Sequence, residues 1–168
     1  MNAGEADFWT EETSVLFTSF WGWRPETWAT VGWSRQQGRT RRDRLLTQLS
    51  APFIAVIYVT RDPDGMDRDL VGKVAGFYLM SHETGDRDDF THPVHHNRHP
   101  EKWRHSLRAL RAFSYISDPL PLARDMEPSL RTGAAQAIAS WGKVLTDREQ
   151  IQRLRDIPWR EVPMYRSD

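Results

Sequence analysis

The run Ser14-Val-Leu-Phe-Thr-Ser-Phe-Trp21 is dense in branched and aromatic residues, which predicts a strand. Pro25 then starts a turn or short helix. From Ser34 to Leu49 the spacing becomes helical, with Leu45, Leu46 and Leu49 on an apolar side and arginines elsewhere. The almost unbroken apolar stretch Ala51 to Thr60 predicts a buried strand, and Arg61-Asp-Pro-Asp-Gly65 carries turn chemistry. Leu70 to Met80 predicts a second strand in a hairpin with the first. Its glycines, Gly72 and Gly76, predict a bulge or tight curvature.

Beyond Met80 the pattern weakens. Ser81 to Pro100 is polar and reads as a long loop holding His82, His92, His95, His96 and His99. Glu101 to Ile116 predicts a third strand centred on Trp103 to Phe113, although its leucines also fit a helix; Pro119 and Pro121 close it. Gly133 to Trp141 is helix-prone. Thr146 to Arg155 predicts a helix opened by the capping box Thr146-Asp-Arg-Glu149. No repeat, low-complexity region or internal linker interrupts the chain. The expected organisation is an acidic leader over residues 1–13 and a single domain over 14–168.

Composition limits the partners. A chain of 168 residues is long enough to bury a proper core in one domain. Twenty-three basic residues balance twenty-three acidic ones, so affinity for a polyanion must come from local patches. The absence of cysteine excludes disulfides, thiolate zinc sites and cysteine nucleophiles. No signal-like segment and no apolar run of membrane-spanning length occurs, so the expectation is a cytoplasmic protein without a membrane partner.

Two adjacent segments carry the candidate chemistry. Trp21, Trp23, Trp28 and Trp33 crowd into thirteen residues, and Arg35, Arg39, Arg41, Arg42 and Arg44 follow, interrupted by one carboxylate, Asp43. Aromatic faces hold bases at about 1–3 kcal/mol per stack, and guanidinium groups fork onto phosphates. The alternative is that the tryptophans fill the core and the arginines coat a solvated helix face. The histidine loop offers another possibility, since His92-x-x-His95-His96-x-x-His99 has metal-like spacing and Asp86, Asp88 and Asp89 could add oxygen ligands. A metal-dependent nuclease or hydrolase is therefore the enzymatic alternative. No nucleophile elbow, phosphate-binding glycine loop or His-Glu-x-x-His is present.

The order Val31-Gly-Trp33-Ser34, a basic helix ending Leu45-Leu46, the strand Phe53 to Tyr58, a turn, and Val71-Gly-Lys-Val-Ala-Gly-Phe77 resembles the YTH and EVE domains of the PUA-like superfamily. The likeness extends over roughly Ser14 to Pro158. It implies an α+β fold, a curved and partly open β-barrel with flanking helices. It also implies a non-catalytic reader, without cofactor or metal, that flips one modified base into an aromatic cage. By that resemblance Trp33 is a cage wall and the Ser34 backbone bonds the base edge. Phe20 and Trp21 lie at the pocket floor, Trp23 also belongs to the pocket, and Phe90 or Trp103 forms the opposing wall. Arg35, Arg39, Arg41, Arg42, Arg44, His95 and His96 are then the phosphate contacts. Ser19-Phe20-Trp21 departs from the polar stretch of YTH domains. The implied target is methylated cytosine or adenine in DNA in preference to RNA, with a restriction or other effector protein as a candidate partner. An RNA-binding PUA-like domain without modified-base specificity is the alternative.

Overall fold

The computed structural model describes residues 7–33, 35–96, 103–131 and 142–166; the side chains of residues 35–37 and 131 fall outside the description. The predicted helix over Gly133 to Trp141, and Ser34 and His99, lie outside the described residues. The described strands are β1 (Val15–Phe20), β2 (Thr30–Trp33), β3 (Phe53–Val59), β4 (Val74–Gly85), β5 (His105–Tyr115), β6 (Lys143–Val144) and β7 (Trp159–Val162). The helices are α1 (Arg35–Gln48), α2 (Ala123–Met126) and α3 (Arg148–Asp156). All seven strands join one mixed sheet in the order β2-β5-β4-β3-β1-β6, with β7 also pairing β5. The sheet is strongly curled into a half-barrel, giving the α+β, partly open barrel architecture.

β3 shows why the sheet has two cores. All seven of its residues are buried, and they alternate between faces as the strand period requires. Phe53, Ala55 and Ile57 join Leu16, Val31, Trp33, Leu45, Leu49 and Tyr78 on one face. Ile54, Val56 and Tyr58 join Phe17, Phe77, Phe113, Leu154 and Trp159 on the other. The first core takes the apolar side of α1; the second is covered by α2, α3 and the N-terminal Phe8 and Trp9. Trp9 is 1% exposed and meets Phe77 edge-on at 4.9 Å, so the core reaches into the segment read from sequence as a leader.

The β3–β4 hairpin forms with Phe53 opposite Met80, and its curvature comes from a bulge where Ile57 pairs Gly76 but Tyr58 pairs Val74. Ala75 is the extra residue. A Cβ on neighbouring Gly76 would lie 2.7 Å from the Trp23 ring, so glycine is required there by close approach. β5 bulges as well: Leu79 pairs Arg111 but Met80 pairs Ala109, leaving Leu110 without a partner across the ladder. This shift keeps Leu107, Ala109 and Ala112 on one core and Phe113 and Tyr115 on the other.

Three elements differ from expectation. Residues 30–33 form an edge strand, β2, pairing Thr30–Trp33 with Arg108–His105, where the sequence reading assigned no strand between the Pro25 turn and the helix from Ser34. β4 continues past Met80 to Gly85, because Thr84 and Gly85 still pair with Leu107 and Ser106 although polar side chains replace the apolar pattern. α3 is capped by Asp147, one residue beyond the predicted Thr146: the Asp147 carboxylate accepts from the Glu149 and Gln150 amides and suits the positive helix end.

A buried polar knot ties the second core together. Glu127 is 2% exposed, and its carboxylate accepts from Lys143 Nζ at 2.8 Å, from Ser129 Oγ at 2.6 Å and from Gln150 Nε2. Burial pushes this carboxyl up, but the hydrogen bonds from Lys143, Ser129 and Gln150 outweigh it and hold it below its usual value. A carboxylate depressed on folding contributes stability that is complete above its unfolded pKa and is lost as pH falls towards the folded one. Glu127→Ala should therefore cost about 1–3 kcal/mol in denaturant unfolding at neutral pH. The deficit should narrow as unfolding is repeated below the ordinary glutamate value of about 4.3. A constant deficit down to that acidity would show that the carboxylate charge contributes nothing.

Candidate nucleic-acid interface

The loop from Trp21 to Ala29 connects β1 to β2, which stand far apart in the sheet order, so it crosses one end of the half-barrel. Two anchors fix it. Trp23 Nε1 donates to Ser114 Oγ at 2.8 Å, and its ring lies 5.1 Å from that of Tyr78. At its start, Gly22 adopts φ +128° against the Asp67 carboxylate, which accepts from the Trp23 amide at 3.1 Å and from Arg24 Nε at 3.2 Å. Arg24 also faces Asp62 and Asp64, pulling the 61–70 loop onto the tryptophan loop.

With both ends held, Trp21 is left 39% exposed and stands edge-on to Trp103, with ring centroids 4.9 Å apart and planes at 89°. The Arg87 guanidinium lies 5.1 Å from the Trp103 centroid and 5.9 Å from that of Trp28. Burial lowers its pKa, and Asp88 partly offsets this. A cation held by ring faces in this way gains about 0.5–2 kcal/mol, depending on desolvation. Arg61 sits over Trp21 at 5.6 Å. Phe20 is half-buried between Trp28 and Tyr78. Trp28 Nε1 is buried without a hydrogen-bond partner among the described residues.

Trp103 holds φ +55°, a conformation seldom adopted by bulky side chains. Ser106 Oγ donates to its carbonyl at 2.7 Å. It packs over Gly32, where a Cβ would come within 3.1 Å of the Trp103 Cβ. Glycine between Val31 and Trp33 thus makes room on the outer face of β2 while its neighbours point inward.

Comparison with protein-family models, curated proteins and solved structures finds no match.

The sequence-derived candidates divide into those this surface gathers and those it does not. Trp21 and Trp103 meet, with Phe20 close by. Trp33 is 3% exposed and belongs to the α1-side core, away from the exposed Trp21. Trp23 is a structural clamp. Phe90 is 4% exposed, lies under Arg108 at 5.4 Å, and lines a cavity with Ala29, Leu110 and Tyr165.

The arginines of α1 also split. Arg41 donates to the Gly142 carbonyl at 3.1 Å and joins the helix to the backbone just before β6. Arg44 is exposed near it, and Arg42 contacts Asp43 at 3.2 Å. Arg39 and Arg42 nevertheless converge electrostatically with Arg104 on His105, next to Trp103. The side chain of Arg35 lies outside the described residues.

His95 and His96 are exposed on a short turn, where His96 Nε2 bonds the Thr91 carbonyl at 3.1 Å and the His92 and His95 rings are 5.9 Å apart. No group of three or more potential metal ligands assembles among the described residues. Among those residues no helix is long and apolar enough to cross a membrane. Arg87 and Arg104 were missed in the sequence. Arg87 sits in an acidic stretch, Asp86-Arg-Asp-Asp89, whose composition hides a cation directed at distant tryptophans.

His105 reports on the cationic cluster. Its pKa lies below the usual value, first through burial and then through Arg42, Arg104 and Arg39, with Asp43 opposing. Removing a nearby cation lowers the cost of protonation. In Arg42→Gln the His105 imidazole should titrate at higher pH than in the wild type, followed by its ring-proton NMR shift. An unchanged or lower midpoint would mean that the arginines do not converge there.

Proposed function

We propose that this protein is a non-catalytic reader of a modified nucleobase, in DNA in preference to RNA, and that its surface is that of a PUA-like domain. The observation that carries the reading is the meeting of Trp21 and Trp103 beside Arg87, with Arg39, Arg42 and Arg104 acting together on His105, two residues along the chain from Trp103. Rings at right angles form an aromatic corner, in which one ring offers its face and the other its edge to an extruded base. Extrusion costs a few kcal/mol, and a stack worth about 1–3 kcal/mol offsets it. A methyl group buried in the same corner adds about 0.8 kcal/mol. The guanidinium groups supply phosphate contacts that position the strand without reading it. An effector protein coupled to recognition belongs to the same proposal.

The tryptophans separate binding from folding. Trp103→Ala should weaken a methylcytosine- or methyladenine-containing oligonucleotide by about tenfold, or 1.4 kcal/mol, in fluorescence anisotropy, with thermal unfolding little changed. Trp33→Ala should instead cost about 3–5 kcal/mol of stability. Equal affinity of the wild type for modified and unmodified strands, or for DNA and RNA, would remove the corresponding part of the reading.

Charge reversal at Arg39, Arg42 and Arg104 together should weaken modified and unmodified strands by similar factors and flatten the salt dependence. Loss confined to the modified strand would place these arginines on the base.

A further inference from the structure

Trp21 and Arg61 leave one end of the sheet side by side. β1 and β3 run parallel with Phe20 opposite Val59, and the Thr60 amide donates to the Phe20 carbonyl at 2.9 Å. This register delivers Arg61 to Trp21, where its guanidinium lies over the ring at 5.6 Å from the centroid. Both residues are exposed. Three carboxylates of the same loop, Asp62, Asp64 and Asp67, face Arg24. The Arg61 head group thus rests on an indole face while its own loop's carboxylates serve another cation. Arg87 covers Trp103 on different terms. Its backbone is locked in the Arg87–Phe90 turn, where the Asp86 amide donates to the Asp89 carboxylate at 2.8 Å and Thr91 Oγ1 donates to the Arg87 carbonyl at 2.9 Å. Burial lowers its pKa, and a second ring, Trp28, lies 5.9 Å from it.

Resting on the base-binding reading above, we infer that Arg61 is an exchangeable cover and a positioning residue: the extruded base replaces it on the face of Trp21, and the released guanidinium moves to a phosphate of the same strand. Strength decides the exchange. A base stacked on an indole outweighs a cation–π contact made in open solvent. The guanidinium in turn gains a charged partner whose oxygens match its fork. Asp62, Asp64 and Asp67 stay with Arg24, so the strand's phosphates receive the freed side chain. Desolvation strengthens a cation–π contact, and Arg87 is the buried one of the two, on a locked turn and against two rings. It keeps its place on Trp103. The exchange is confined to Trp21, the ring whose covering cation is exposed.

The test is calorimetric titration of the whole protein, wild type and Arg61→Ala, with two kinds of ligand. One is the free nucleosides methyldeoxycytidine and methyldeoxyadenosine; the other is single-stranded DNA oligonucleotides that contain them. The nucleosides carry no phosphate, so uncovering the ring should tighten their binding about two- to fivefold. The oligonucleotides lose a phosphate contact and should bind roughly three- to tenfold more weakly, with a salt dependence lowered by about one phosphate. Trp21→Ala should remove nucleoside binding, and adding Arg61→Ala to it should restore none. The inference is overturned if the wild type binds no nucleoside, if Arg61→Ala leaves nucleoside affinity unchanged or weaker, or if it leaves oligonucleotide affinity unchanged or tighter. Equal affinity for modified and unmodified bases would remove the modified-base reading alone, because the opposed responses of nucleoside and oligonucleotide are then measured on the unmodified pair.

Discussion

The burial of β3 on both faces is the constraint from which the rest of the structure follows. A strand with no polar side needs a cover on each face. The two cores are these covers, one filled by the leucines of α1 and the other by a stack of rings from Phe8 to Trp159. Curling the sheet brings distant strands around the α1-side core, and the loop from Trp21 to Ala29 then has to cross the barrel end. Its tryptophans are therefore divided by geometry. Trp23 faces inward onto Tyr78, Trp28 is half-buried beneath Arg87, and Trp21 stays at the surface.

The elements with strong local patterns were legible in the sequence. The β3–β4 hairpin, its bulge near Gly76, the basic helix and the last helix all have short-range causes that a linear reading captures. β2 and the extension of β4 were not legible, because both owe their strand character to β5, which lies far along the chain. The same distance explains the site. Trp21 and Trp103 could be nominated one at a time, but the meeting of their rings, and Arg87 against Trp28 and Trp103, arises only when three separate loops converge. The burial of Trp33 is a matter of strand parity that a linear reading does not carry: Val31 and Trp33 share the inner face, and Gly32 lies on the opposite one under Trp103.

The arginines show how a neutral chain can still be locally cationic. Arg24 is consumed by three aspartates, Arg111 forks onto Glu161 and Arg41 bonds a backbone carbonyl. Such pairs spend charge on holding loops and strands together. Arg39, Arg42 and Arg104 instead gather their charge on His105, whose pKa they lower. Overall balance and a directed patch are compatible because acidic residues are placed at the structural arginines.

The bulge at Leu110 separates two kinds of information that a sequence usually carries together. Its side chain is 41% exposed and supports neither core, so its identity is loosely specified. Its presence is not. Removing one residue there would restore a continuous ladder and turn Phe113 and Tyr115 out of the core that contains Trp159, exchanging the two faces for the rest of the strand. Among relatives of this chain, position 110 should thus vary in residue type while the count of residues between Leu107 and Phe113 stays fixed.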